Sequence, residues 1–257
     1  MNPLLFDGLI AAVLIVGLVL AAEIGLRLGV RARAPGEGQG SPQLGAIQGA
    51  ILGLLGLLLA FSFSGAAGRF IDRTDTVITE ANAIGTAYLR ADLLGEPERG
   101  RLREVLRRYT ETRLGYARES HLRRTLTPEQ SATVSAMQNE MWDTAVAGVR
   151  ARPEAILAVL NPVNEVIDLH TTRLAIASRR LPPVVLAVLL ASSFLALMVM
   201  GYGCGVSGER RTSLTTALAL LIAAVLWITI DLDQPRAGLL QTSNAPLEAL
   251  DFDAMSD

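Results

Sequence analysis

Few side chains in this sequence are of a type that does chemistry, and they are scattered. There are two histidines, His121 and His170, and one cysteine, Cys204. A single cysteine cannot form an intrachain disulfide or a thiolate zinc cluster, and no paired metal-ligand or nucleophile motif accompanies the histidines. His170, with Asp168 close by, reads as a packing or surface histidine rather than a base. We therefore expect no enzyme activity, no cofactor and no metal. The polar residues that stand out do so by position. Glu23 and Gln48 interrupt apolar runs, Asp231 and Asp233 follow another, and all 23 basic residues are arginine. Arginine stays charged at any ordinary pH and grips anions through two parallel hydrogen bonds. The chemistry to look for is thus electrostatic handling of ions, although genome composition also explains the bias.

The runs that surround these residues are of membrane length. Residues 44–68, 181–208 and 212–230 are charge-free stretches of 25, 28 and 19 residues. A bilayer core of about 30 Å needs about 20 residues of helix at a rise of about 1.5 Å each. A fourth run, charge-free over residues 8–22, continues past Glu23 to Leu26. Its leading segment carries Asp7 and no basic residue, the wrong flank for a signal peptide. Four spans are expected, at about 8–26, 44–68, 183–206 and 212–230. With 51% hydrophobic and 19% charged residues, a disordered chain is excluded.

Between the span pairs lies an insert, residues 69–180, with 17 Arg and 15 Asp and Glu, which reads as soluble. Phe70, Val77, Ala81, Ile84 and Tyr88 form one apolar face of a helix continuing out of the second span. Gly95, Glu96 and Pro97 stop it, and Leu102, Val105, Leu106 and Tyr109 mark a second helix. Thr127, Pro128, Glu129 and Gln130 spell a capping box that starts a third helix running to about Val149. Asn161 and Pro162 read as the start of a fourth, carrying Val166, Ile167, Leu174 and Ala177 inward to a bend at Leu181, Pro182 and Pro183. No alternating pattern predicts a strand, so the fold class is all-α, a polytopic membrane protein with a helical-bundle insert and an acidic tail over 231–257. Residues 99–124 hold nine Arg against Glu104, Glu111 and Glu119, a local excess that would concentrate anions if it lined a vestibule. Over the whole insert the charges balance, which argues against nucleic-acid binding. Five arginines flank the spans on one side and six on the other, so the positive-inside rule does not orient the chain.

The second span carries the most informative pattern. Gly45, Gly49 and Gly53 recur every fourth residue, and Gly56, Ala60, Ser64 and Ala67 continue a small-residue face. Such spacing lets helix backbones approach closely, so tight helix packing is one expectation. The other is that copies of this helix ring a pore, with Gly53, Leu57 and Phe61 pointing one way and gating by dewetting. Gln48 reads as interhelical glue or a pore-mouth residue, and Glu23 as an ionisable group near the lipid interface. Tyr202 and Trp227 fit an aromatic belt. Asp231 and Asp233 sit unfavourably for the dipole of a preceding helix and call for partners, whether water, arginine or a cation.

Two segments together resemble bestrophins. LLLAFSFSGAAGRFIDRTDTVITEANAIG is similar to the bestrophin pore helix and its continuation, with Phe61 matching a pore phenylalanine and Arg69–Phe70 an Arg-aromatic pair. DLDQPRAGLLQTSNAPLEAL resembles the segment after the last bestrophin span through Asp231, Asp233, Pro235, Gly238, Asn244, Pro246 and Leu247. Arg236 and Ala237 interrupt the proline-phenylalanine-glycine element of that segment. The layout of two spans, insert and two spans agrees, and the nearest family is the bestrophin-like group of bacterial membrane proteins. The resemblance implies a homopentameric ion channel, usually anion-selective, in the bacterial inner membrane, with insert and termini cytoplasmic and Gly53, Leu57 and Phe61 at the neck. Its partners would be lipid, small ions and further copies of the chain. Gly53 supplies no side chain where bestrophin necks carry bulk, and Asp231 and Asp233 fall short of the family's calcium-binding acidic cluster. The alternative is a membrane-anchored sensor or scaffold whose insert binds a ligand or partner protein.

Overall fold

The computed structural model describes residues 3–33, 42–119, 126–208, 212–233 and 240–255. It is all-helical: α1 (Pro3–Ala32), α2 (Pro42–Arg90), α3 (Glu98–Glu119), α4 (Pro128–Ala151), α5 (Ile156–Ser178), α6 (Pro183–Ser207), α7 (Thr212–Asp233) and the short α8 (Ala245–Glu248). Two single 3₁₀ turns occur, at Ala91–Leu93 and Pro153–Ala155, and there is no strand among the described residues. The chain divides into two compact units. A membrane unit is built chiefly from Met1–Arg69 and Arg180–Gln234, and an insert unit from Phe70–Arg179 and Gln241–Asp257.

In the membrane unit, α1, α2, α6 and α7 are each long and apolar enough to cross a bilayer. The chain is a multi-pass membrane protein. α1 and α6 cross closely, and glycine on both sides makes it possible. A methyl group added at Gly25 would run into the carbonyl of Met198, one at Gly29 into that of Tyr202, one at Gly201 into that of Ala22 and one at Gly205 into that of Leu26. Without a hydrophobic drive between helices in lipid, this approach of backbones is what holds such a pair together. α6 ends at Gly208, whose φ of 72° is the left-handed conformation of a helix C-cap.

In the insert unit, α4 starts where the capping box places it. The Thr127 hydroxyl accepts from the Gln130 amide, and the Gln130 side chain accepts from the Thr127 amide. The expectation for the next helix is corrected. Asn161 and Pro162 do not open it, because Pro153 starts a 3₁₀ turn that leads straight into α5 at Ile156. Pro162 therefore lies inside the helix, where its missing N–H leaves the Ala158 carbonyl without its usual donor. Arg90 fills that role, donating from Nη1 to the Ala158 oxygen at 3.1 Å. The core takes Val77, Ala81, Ile84 and Tyr88 from α2, Leu102, Val105, Leu106 and Tyr109 from α3, Met141 and Ala145 from α4, and Val163 and Val166 from α5. Leu174, expected inward, is exposed, and His170 and Arg173 occupy the buried face instead. The C-terminal segment packs into the same core through Leu247 and Phe252, and the Tyr88 hydroxyl donates to the Phe252 carbonyl at 3.1 Å.

At the centre of this core is a buried polar group. Glu80 is wholly buried. It accepts from the Tyr109 hydroxyl at 3.2 Å and lies 3.4 Å from Arg113 Nε and 3.5 Å from Arg173 Nε. Arg173 Nη2 reaches His170 Nδ1 at 3.3 Å. A guanidinium only donates, so Nδ1 is the acceptor and His170 is a neutral imidazole with its proton on Nε2. Burial, reinforced by the charge of Arg173, pushes His170 down to about 4. Burial and the Glu80 carboxylate push the Tyr109 hydroxyl up, so it remains a donor.

Candidate functional site

The membrane half of α2 has two faces with different surroundings. Leu55, Leu59, Ser62 and Ala66, spaced four, three and four apart, are buried, and Leu55 and Leu59 join the core formed with α1, α6 and α7. Leu57 is two residues from both Leu55 and Leu59, roughly 200° around a helix of 3.6 residues per turn. It falls on the opposite side, together with Gly53 and Phe61. Leu57 is 53% exposed and Phe61 69%, and a methyl group added at Gly53 would meet nothing within 4 Å. The same holds at Gly45, Gly49 and Gly56, and Ala60 is exposed. Among the described residues of the chain, nothing packs against α2 at Gly45, Gly49, Gly53 or Gly56. The glycines that do make a close crossing are those of α1 and α6. Their spacing, Gly25 to Gly29 and Gly201 to Gly205, is the same four-residue repeat as that of α2. Hydropathy and spacing alone do not say which of two glycine stripes is buried.

Gln48 anchors α2 from its covered side. Its Nε2 donates to the Val199 carbonyl of α6 at 3.0 Å. The amide lies where a side chain at position 203 would otherwise stand, so Gly203 is what lets it in. Interhelical hydrogen bonding is thus the role this residue plays in the chain. Glu23 accepts from Arg27 Nε one turn on at 3.1 Å. It also lines a cavity of about 50 Å³ with Cys204, Thr212, Thr215 and Thr216.

The acidic pair after the last span forms a corner with Arg69, midway along α2, and the entrance to α6. Asp233 Oδ1 accepts from Arg69 Nε at 2.8 Å, and Arg69 Nη2 stands 2.7 Å from the same oxygen as an ion pair. The Leu181 amide donates to both Asp233 oxygens, at 3.0 and 2.9 Å. Pro182 and Pro183 have no N–H, so Leu181 carries the last amide before α6, and the carboxylate satisfies it. Asp231, 3% exposed, accepts from the Leu240 amide at 3.0 Å through Oδ2. The partners these carboxylates require at the negative end of α7 are an arginine and backbone amides. Pro235 and Gly238, with Arg236 and Ala237 between them, lie outside the described residues, as do Arg210, Arg211 and His121. The corner was half legible. Arg69, Asp231 and Asp233 all stood out in the sequence, but no pattern pairs residues 164 positions apart.

These features brace α2 within the membrane unit and leave one apolar face of it uncovered. The description Bestrophin-like domain matches residues 9–247, which takes in every element from α1 to the start of α8. No curated protein and no solved structure matches the chain.

Proposed function

The chain belongs to the bestrophin-like family, and from that premise we propose that it is an oligomeric ion channel, conducting anions, with α2 lining the pore and an apolar neck near Phe61. The observation that carries the reading is the bare face of α2. Only 11% of its most apolar stretch is buried, against 22–28% for the other three spans. That face presents Gly53, Leu57 and Phe61 in one row. Four spans cannot surround a conduit, so the walls must come from further copies of the chain, five by likeness to bestrophins. Small residues at Gly45, Gly49, Gly56 and Ala60 then allow neighbouring copies of α2 to approach closely. The apolar row forms rings that gate by dewetting. Gln48 and the Arg69–Asp233 pair hold each α2 against its own subunit, so that the ring keeps its bore.

On this reading the protein lies in the bacterial inner membrane with the insert and both termini cytoplasmic. It uses no cofactor and catalyses no reaction. Purified protein in planar bilayers gives discrete anion currents, and Phe61→Ala changes their amplitude or rectification by widening the neck. Silence across several salts and voltages, from a preparation shown by mass to be oligomeric, refutes the channel. A monomer in detergent refutes the arrangement of α2. A cysteine placed at the exposed Glu111, with Cys204 replaced by serine, is shielded from an impermeant thiol reagent in intact cells. Labelling from outside would instead favour a receptor for external ligands.

A further inference from the structure

The crossing of α1 and α6 leaves an apolar groove on the membrane unit. Its volume is about 480 Å³, within the range of about 300–1,000 Å³ that small-molecule sites occupy. Gly17, Ala21 and Ala191 contribute little side chain to it, and Leu20, Ile24 and Leu195 stand as its exposed walls. No lining side chain is polar, so what fits inside is hydrocarbon. The charge beyond one end identifies what that hydrocarbon belongs to. Gly17, Ile24 and Arg31 are seven residues apart, a spacing that drifts by only about 20° around a helix, so Arg31 lies on the groove's side of α1. Leu28, large and exposed, fills the step between Ile24 and Arg31. The arginine is exposed in the last turn of α1, where the span ends. It is about 10 Å beyond Ile24 at about 1.5 Å per residue, and its side chain leans back over the preceding turn, towards the groove. Arg27, one turn nearer, is committed to Glu23 at 3.1 Å. Arg31 makes no ion pair with any described residue.

We propose that this groove binds an acyl chain of an anionic phospholipid and that Arg31 holds its phosphate. An apolar groove within a span and an unpaired cation on the same face at the end of that span match the two parts of such a lipid. Arginine meets phosphate through two parallel charge-assisted hydrogen bonds, which are the strong ones. A zwitterionic headgroup carries its own cation, which competes with Arg31 for the phosphate, whereas the glycerol of phosphatidylglycerol does not. Selectivity for the anionic lipid follows. The site is built on α1 and α6 rather than on α2, so the proposal stands whether or not the chain conducts.

The test is native mass spectrometry of the full-length protein in detergent, titrated with phosphatidylglycerol or with phosphatidylcholine. One phosphatidylglycerol per chain is expected to saturate before further adducts appear, with phosphatidylcholine bound more weakly. Arg31→Gln weakens phosphatidylglycerol by about fivefold, the factor that one arginine contributes beside an anionic lipid surface, and removes the preference between the two lipids. Ala191→Phe, on an exposed position of α6, fills the groove and lowers the binding of both lipids while the chain stays folded. Equal binding of the two lipids by the native protein, or unchanged phosphatidylglycerol binding in Arg31→Gln, overturns the proposal. An Ala191→Phe protein that loses subunits yet binds phosphatidylglycerol as before also overturns it, because the groove then belongs to a second copy of the chain.

Discussion

Replacing Asp233 by asparagine sets two effects of opposite sign against each other, and the structure says which is larger. At the C-terminus of α7 a carboxylate opposes the helix dipole, so neutralising it should gain about 0.3–1 kcal/mol. Against this stands the contact with Arg69, two close approaches at 2.7 and 2.8 Å, and with the Leu181 amide at 2.9 Å. The two side chains are 19% and 15% exposed, which lies nearer the buried regime, where removing one partner costs about 3–5 kcal/mol, than the surface regime of about 1 kcal/mol or less. Asparagine still accepts one hydrogen bond, so the low end of the buried range applies, and the net loss is about 2–3 kcal/mol. For a chain of this size that lowers Tm by about 5–10 °C. Thermal unfolding in detergent, followed by loss of the monodisperse chromatographic peak, reads it for Asp233→Asn, Arg69→Gln and the double variant. A common partner requires that the double variant fall short of the sum of the singles by about 2 kcal/mol. The reasoning fails if Asp233→Asn raises Tm, which would put the dipole in charge, or if the two substitutions simply add.

Three other outcomes follow from the same structure. Gly201→Ala drives a methyl group into the Ala22 carbonyl, and backbone cannot move aside as a side chain can, so Tm falls by several degrees for a cost of about 1–3 kcal/mol; Gly49→Ala, which meets nothing in its own chain, leaves the chain folded, and the comparison is made in one detergent. His170 is held neutral, near 4 rather than its ordinary 6.5; because its folded value is depressed, its contribution is complete above about pH 6.5 and is lost as pH falls from there towards 4, on the order of 3 kcal/mol in all. Stability measured across that window drops in the native protein and flattens in His170→Gln. Thr127→Ala removes the hydroxyl half of the α4 capping box and costs about 1 kcal/mol, seen as a Tm lower by about 2–4 °C.

The elements themselves were legible because each is a local matter. The four spans follow from run length and absence of charge, and the start of α4 from four consecutive residues. The face of α2 in the insert follows from a spacing of three and four. Pro162 misled because asparagine followed by proline is the pattern of an N-cap and a first helical residue. Only the fold supplies Arg90, the donor that lets this proline stay inside a helix. Glu80 gave a quieter signal, a carboxylate three residues after Val77 and four before Ile84, on the apolar face. Read by periodicity it is an error in the pattern; in the structure it is the counter-charge of two arginines.

Composition and periodicity by themselves determined an all-helical membrane protein with two span pairs bracketing a charged insert, since hydropathy and capping act over a few residues. Tertiary structure decided which glycine stripe is used within the chain, which carboxylate answers which arginine, and which apolar residues of α1 and α6 share one groove. Those outcomes depend on distances between residues far apart in sequence. A charge or a small side chain carries no mark of its partner, and its meaning changes sign according to whether a carbonyl, a carboxylate or open space stands opposite.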